Sequence, residues 1–224
     1  MILENLRAKV LETANRMLTD GVVHGSQGNV SARDSETGWI AITPSAIPYP
    51  QLTPEEICVI DETGNIIDAA WKPTSERLMH LAIYQRRPDV QAIVHSHALY
   101  SSVFGIIDLP LEPILTEAAM CIGGAVPVAA YDRPGTQELA DHTADVLAGC
   151  SSVIMAHHGL VTVGRNLDEA YDTTMAVDTS ARVIIMAKSM GVPYRVLPES
   201  EAEIMHGIYL NHYHPSKIDS SASR

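Results

Sequence analysis

The chain has 224 residues, 46% of them hydrophobic and 19% charged, which supplies enough apolar side chains for a sizeable core. Its formal net charge of −12, with no lysine- or arginine-rich run, argues against a nucleic-acid backbone or an anionic membrane surface as partner. No apolar run reaches the roughly 18–20 residues that cross a bilayer, and the amino terminus lacks the basic start and unbroken apolar stretch of a secretory signal. Cys58, Cys121 and Cys150 are odd in number and far apart. They fit no disulfide framework or C-x-x-C motif, so buried thiols in a reducing cytoplasm are expected.

In chain order, Leu3, Leu6, Val10 and Ala14 recur at helical spacing and predict an amphipathic first helix. HGSQGNVSAR breaks that pattern with two glycines and an asparagine, then alternates as a strand. DSETG reads as a hairpin turn into the strand WIAIT, and PSAIPYPQ as an irregular loop. TPEE starts a single helical turn with Thr53 as cap and Pro54 at the first helical position. ICVID, ETGN and IIDAA form a second strand, turn and strand. KPTSERLMHLAIYQRRPD predicts a helix whose Leu78, Leu81 and Ala82 face inward.

VQAIV is a strand leading into His95 and His97, and a short helix follows through LYSSVFGI. Residues 110–134 read as loop with one strand near AVPVAAY. A helix is expected over about 136–148, SSVIMA and LVTVG are strands joined at HHG, and the longest helix covers about 167–190 with Asn166 and Glu169 at its start. A last helix lies near 199–210. Hairpins interspersed with helices predict one α/β domain over residues 1–214, with a mostly antiparallel sheet covered by helices, and a frayed tail over 215–224.

The chemistry-bearing residues gather at the breaks. In an extended chain His95 and His97 share a face, and two imidazoles on one rigid face are most of a catalytic zinc ligand set. A third ligand is expected from His157 or His158, which point to opposite sides of a strand; spacing does not say which joins. Glu76 lies near the start of a helix whose N-terminus favours an anion, and beside a metal it becomes a ligand or general base. His80, four residues on, is read as a core-facing, hydrogen-bonded histidine. In GSQGN the glycines turn backbone N–H groups inward, with Ser26 and Asn29 as added donors. The Thr74–Ser75 helix start and the hydroxyls of Thr43 and Ser45 extend that cradle. An acidic protein can thus hold a phosphate with neutral donors.

GSQGNVSAR, ITPSAIPY, KPTSERLMHLAIYQRRPDVQAIVHSHA, YDRPGTQELA and HHGLVTVGRNLDEA, in this order, resemble the class II aldolase/adducin family over about residues 5–210. The resemblance implies a three-layer α/β/α domain, a homotetramer, and a zinc between neighbouring subunits, with manganese or cobalt as alternatives. It implies His95, His97 and His158 as metal ligands and Glu76 as the catalytic proton carrier. Ser26, Gly28, Asn29, Ser45, Thr74 and Ser75 become the phosphate-binding residues. A tyrosine near the carboxy terminus, Tyr209 or Tyr213, is expected to reach a neighbour's site. The implied reaction is cleavage of a small ketose 1-phosphate to dihydroxyacetone phosphate and an aldehyde, through an enediolate that the metal stabilises.

Ser26 and Thr74 swap one hydroxyl residue for another, which matters less, and two further positions depart more sharply from the aldolase pattern. Glu117 stands where a pocket tyrosine is expected, and Ala46 where a glycine is usual. Both keep open a metal-dependent decarboxylase of a small oxo- or hydroxy-acid. A pentulose-5-phosphate 4-epimerase is the other alternative, although epimerases usually carry aspartate at the position of Glu76. The family's adducin branch, a cytoskeletal interaction module, lacks the histidines that are intact here.

Overall fold

A computed structural model describes residues 1–212. Eight strands form one sheet in the order β4-β3-β2-β1-β5-β8-β7-β6. They are β1 (Asn29–Arg33), β2 (Ile40–Ile42), β3 (Cys58–Ile60), β4 (Ile66–Asp68), β5 (Ala92–Ser96), β6 (Val128–Ala129), β7 (Ser152–Met155) and β8 (Gly159–Gly164). All neighbours pair antiparallel except β6 and β7. The expected α/β/α layering and mostly antiparallel sheet are what the chain adopts.

Strand alternation divides the core. On one face Ile93, Val161 and Val153 pack with Met79, Ile83, Leu139 and Ala144, which come from α2 (Arg77–Arg86) and α5 (Gln137–Val146). On the other, Val30, Ala92 and Val94 pack with Val10, Ala14 and Tyr171, from α1 (Glu4–Thr19) and α6 (Leu167–Ser189). That second face continues where Ile154 and Leu160 meet Phe104 of α3 (Leu99–Ile107) and Val177 of α6. Fully burying one such aliphatic side chain stabilises the fold by roughly 1.5–3 kcal/mol, and both sheet faces are lined with them.

The capped boundaries fall where the residues place them. Asn166 caps α6 by accepting from the Glu169 N–H at 2.9 Å. Thr53 and Glu56 close a reciprocal capping box around the turn Pro54–Glu56. Three expectations differ. The stretch expected as loop contains α4 (Thr116–Ile122); Leu115 before it and the Gly123–Gly124 pair after it hide a seven-residue helix too short to show a period. The helix expected from KPTSER begins later, with Glu76 itself as its N-cap residue and no side-chain cap bond. Leu78 sits at the edge of the core, while Met79 and Ile83 fill it, because α5 lies across α2. The last helix, α7 (Glu199–His212), matches its expected place; Tyr213 and the tail 215–224 lie outside the described residues.

Candidate metal centre and active site

β5 runs in the middle of the sheet, between β1 and β8. The register sets Asn29 opposite His95 on one side, and Ser96 opposite Leu160 on the other. Asn29 from β1 and the turn before β8 therefore flank His95 at one end of the sheet. His95 lies two residues beyond Ile93 and so faces the α2 side, where Glu76 heads that helix. Two turns make the close approach workable. Gly28 takes φ +70°, and a Cβ there would lie 2.5 Å from the His95 carbonyl oxygen. Gly159 packs so tightly against β5 that a Cβ would stand 2.4 Å from the Ser96 oxygen.

The ligating nitrogens of His95, His97 and His158 lie within 4.8 Å of one another. Of the two adjacent histidines, His158 is the one that joins. His157 takes a left-handed φ of 56° and turns its ring toward Tyr131, with centroids 6.1 Å apart. Glu76 closes the group: Oε2 is 3.2 Å from His95 Nε2, and Oε1 is 3.1 Å from His158 Nε2.

The protonation pattern favours a cation here. His95 Nδ1 donates to the Leu160 carbonyl at 3.1 Å, which turns Nε2 into the cluster. That nitrogen faces Glu76 Oε2 and, also at 3.2 Å, His97 Nε2. His158 Nδ1 is buried without a hydrogen-bond partner. Lone pairs converging in a buried space repel one another unless a positive charge is shared among them. Three imidazoles gathered around one point are the donor set of a catalytic metal ion, and the Leu160 carbonyl fixes the second nitrogen of His95. The residues fit such an ion, although they do not fix its identity.

The local field points the same way. Burial would push the Glu76 carboxyl up, but the imidazoles of His95 and His158 outweigh it and hold it well below the usual carboxylate range. Burial, and then its neighbours His95 and His158, pull His97 down to about 4. His80, wholly buried, is pulled down to about 3 by burial first and by His95 second. Both rings are therefore neutral near pH 7.

A cavity of about 350 Å³ opens over this cluster. Ser26, Gly28, Ser45, Thr74 and Ser75 line it together with Glu76, His97 and His158. These hydroxyls are far apart in sequence. They meet because Pro44 bridges Pro73, the Ser45 N–H donates to the Lys72 oxygen at 2.9 Å, and the Thr74 N–H donates to the Thr43 oxygen at 3.1 Å. The neighbouring turn is pinned by Tyr49, whose hydroxyl donates to the Gly28 oxygen at 2.7 Å; nothing in the local sequence marks that tyrosine.

Some expected residues take other places. The Asn29 amide, expected as an anion donor, is turned to Glu76 and His80. The Thr43 hydroxyl is buried and accepts from the Val30 N–H at 3.2 Å. Ala46 borders the cavity at a left-handed φ of 62°, so the backbone takes the shape a glycine would give. Glu117 is exposed in the first turn of α4 and does not line this cavity. Tyr209 borders a separate cavity of about 640 Å³ between α4 and α7, with Cys121 and His206. Its hydroxyl is pushed up to about 12, chiefly by burial. Cys58 is buried, whereas Cys121 and Cys150 are half-buried, and burial raises all three thiols.

The sheet order, the histidine cluster and the polar cavity above it define an α/β protein with a candidate metal centre. Residues 8–185 match the family model for the class II aldolase and adducin N-terminal domain, and the chain belongs to that family. It is 31% identical over 203 residues to the 5-deoxy-D-ribulose 1-phosphate aldolase of Bacillus thuringiensis serovar kurstaki, covering 91% of this chain and 94% of that one. The solved structure of an L-fuculose 1-phosphate aldolase superposes with a TM-score of 0.87 at 32% identity, over 92% of this chain and 96% of that one. YgbL from Escherichia coli, whose description leaves aldolase, epimerase and decarboxylase open, gives 0.83 at 26% identity, over 92% of this chain and 100% of that one. Among the described residues no helix is long and apolar enough to cross a membrane.

Proposed function

We propose that this chain is a metal-dependent aldolase that cleaves a small ketose 1-phosphate, of the L-fuculose 1-phosphate kind, to dihydroxyacetone phosphate and an aldehyde. One observation carries the reading: His97, His158, Glu76 and the hydroxyl-lined loops share a single cavity, with His95 completing the imidazole cluster. His95, His97 and His158 would hold the ion, zinc in the first instance and manganese or cobalt in its place. Such an ion supplies a Lewis acid for the negative charge that grows on the carbonyl oxygen.

The remaining work falls to the chain. Ser26, Ser45, Thr74, Ser75 and the backbone at Gly28 bind the phosphate with neutral donors, which suits a protein of net charge −12. In the synthetic direction the Glu76 carboxylate takes a proton from the carbon beside the ketone; in cleavage it returns one to that carbon as the C3–C4 electron pair is released. Tyr209 or Tyr213 of a neighbouring subunit would exchange the proton on the aldehyde oxygen, which requires the homotetramer. Paired thiols are not needed for this activity, and a cytoplasmic setting is consistent with the three free cysteines.

The test loads the purified chain with zinc and offers ketose 1-phosphates, ribulose 5-phosphate and small oxo-acids, while aldehyde, epimer and carbon dioxide are followed together. Dihydroxyacetone phosphate and an aldehyde in equal amounts support the reading. Epimer alone would make the chain an epimerase. Carbon dioxide alone would make it a decarboxylase.

A further inference from the structure

Behind Glu76, a line of buried polar side chains runs inward from Asn29 at the cavity wall, between β1 and α2. Asn29 and Ser31 are two apart on one strand face, and Glu76, His80 and Tyr84 are four apart along one helix face. The contacts interleave the two sets. Asn29 Nδ2 donates to Glu76 Oε2 at 2.9 Å, and Asn29 Oδ1 meets His80 Nε2. His80 Nδ1 then meets the Ser31 hydroxyl at 2.7 Å, and Ser31 meets the Tyr84 hydroxyl at 2.8 Å. Ser31 and His80 are completely buried, Asn29 and Tyr84 nearly so.

The proton inventory allows one direction only. A carboxylate accepts, so the amide nitrogen of Asn29 faces Glu76 and its oxygen faces His80. That oxygen also only accepts, so His80 carries its proton on Nε2. The bare Nδ1 accepts from Ser31, whose single proton is then spent, and Tyr84 donates to Ser31. Every donor points toward Glu76. Oε2 is thereby occupied, whereas Oε1 has no hydrogen-bond partner and stands beside His158.

We propose that Asn29, His80, Ser31 and Tyr84 are positioning residues that clamp Oε2 of Glu76 and leave Oε1 as the oxygen that carries the proton. The working role of Oε1 rests on the function proposed above; the clamp does not. The clamp holds the carboxylate by one corner, so that it can pivot at the cavity floor without leaving its anchor. A rigid, dry network of this kind gains most when every member is satisfied, and each of these groups has its partner.

Two measurements test it. In the metal-free full chain, histidine ring ¹⁵N–¹H spectra at pH 7, with His80 assigned through its loss in His80→Gln, should show a neutral ring protonated on Nε2. A ring protonated on Nδ1, or a charged one, overturns the clamp. In the zinc-loaded chain, His80→Leu should lower kcat by about 10–100-fold, as loss of an outer partner does, with KM within about twofold and bound zinc unchanged.

Tyr84→Phe removes a single oxygen and should lower kcat about fivefold, the worth of one ordinary hydrogen bond. His80→Gln keeps one donor and one acceptor and should recover most of the rate. An unchanged kcat in both His80→Leu and Tyr84→Phe overturns the proposal. So does a loss matched in both variants by lost zinc or lost helical signal. A wild-type chain that cleaves no sugar phosphate yet shows His80 protonated on Nε2 sinks the proton-transfer reading and leaves the clamp standing.

Discussion

The two halves of the 350 Å³ cavity are built by different means. The half holding His97, His158 and Glu76, with His95 beneath them, rests on the end of a central strand, the turn before β8 and a helix start. The half holding Ser26, Ser45, Ala46 and Ser75 is loop, half-buried or exposed, and shaped by backbone turns. The difference is one of tolerance. A proton transfer demands atoms fixed to within a fraction of an ångström, whereas a phosphate offers many acceptor oxygens and accepts hydroxyls from several directions. Substitutions in the rigid half should therefore alter metal content and turnover, and those in the loop half should alter KM.

The largest effect is expected at Glu76. Glu76→Gln keeps the shape and removes the base, so kcat should fall by about 10²–10⁴-fold while bound metal stays near one per chain; full turnover in this variant would contradict the proton-transfer role. Gly159→Ala should come next, because its Cβ would stand 2.4 Å from the Ser96 oxygen, between His95 at the end of β5 and His97 just beyond it. The strands must part, at a cost of roughly 1–3 kcal/mol. Elemental analysis should find bound metal several-fold reduced while circular dichroism stays close to wild type.

In the loop half, Ser75→Ala removes one of the hydroxyls proposed to bind the phosphate. KM should rise about two- to tenfold at nearly constant kcat, the worth of one hydrogen bond. If kcat falls instead, the contrast between the halves is wrong.

Acid should act first on the rigid half. His80 titrates at about 3 when folded, against about 6.5 in an unfolded chain. Between those values the unfolded state binds the extra proton, so stability is lost as pH falls from about 6.5 toward 3. Its slope is about 1.4 kcal/mol per pH unit at most. Urea midpoints of the metal-free chain should fall with pH more steeply than those of His80→Gln. The smallest effect is expected at Ala46. Relief of its left-handed backbone in Ala46→Gly is worth about 1–2 kcal/mol, and the added freedom of glycine in the unfolded chain offsets about 0.4–1 kcal/mol of that. Thermal denaturation should show a gain of about 1 kcal/mol or less, with turnover unchanged.

Much of this was legible in the chain. Alternation and helical spacing predicted all eight strand regions and six of the seven helices, because those patterns follow from one face of each element being buried. The glycine-rich turn, the paired histidines and Glu76 were visible as departures from such patterns. The α4 helix was not, since seven residues carry no period. Nor was Tyr49 as the pin of the Gly28 turn, whose partner lies 21 residues away.

By itself, the sequence determined the periodicities, the absence of a basic surface, and which side chains were available to bind a metal or an anion. It also carried a family order of motifs that pointed to His158. Only the tertiary structure decided which groups meet. It placed His158 beside His95 and His97 by turning His157 away, joined Ser45 to Thr74 through the Pro44–Pro73 bridge, and gave Asn29 to Glu76. The physical reason is register. Local pattern fixes the face on which a side chain stands, but strand pairing fixes what stands opposite, and a hydrogen bond tolerates only a few tenths of an ångström in that choice.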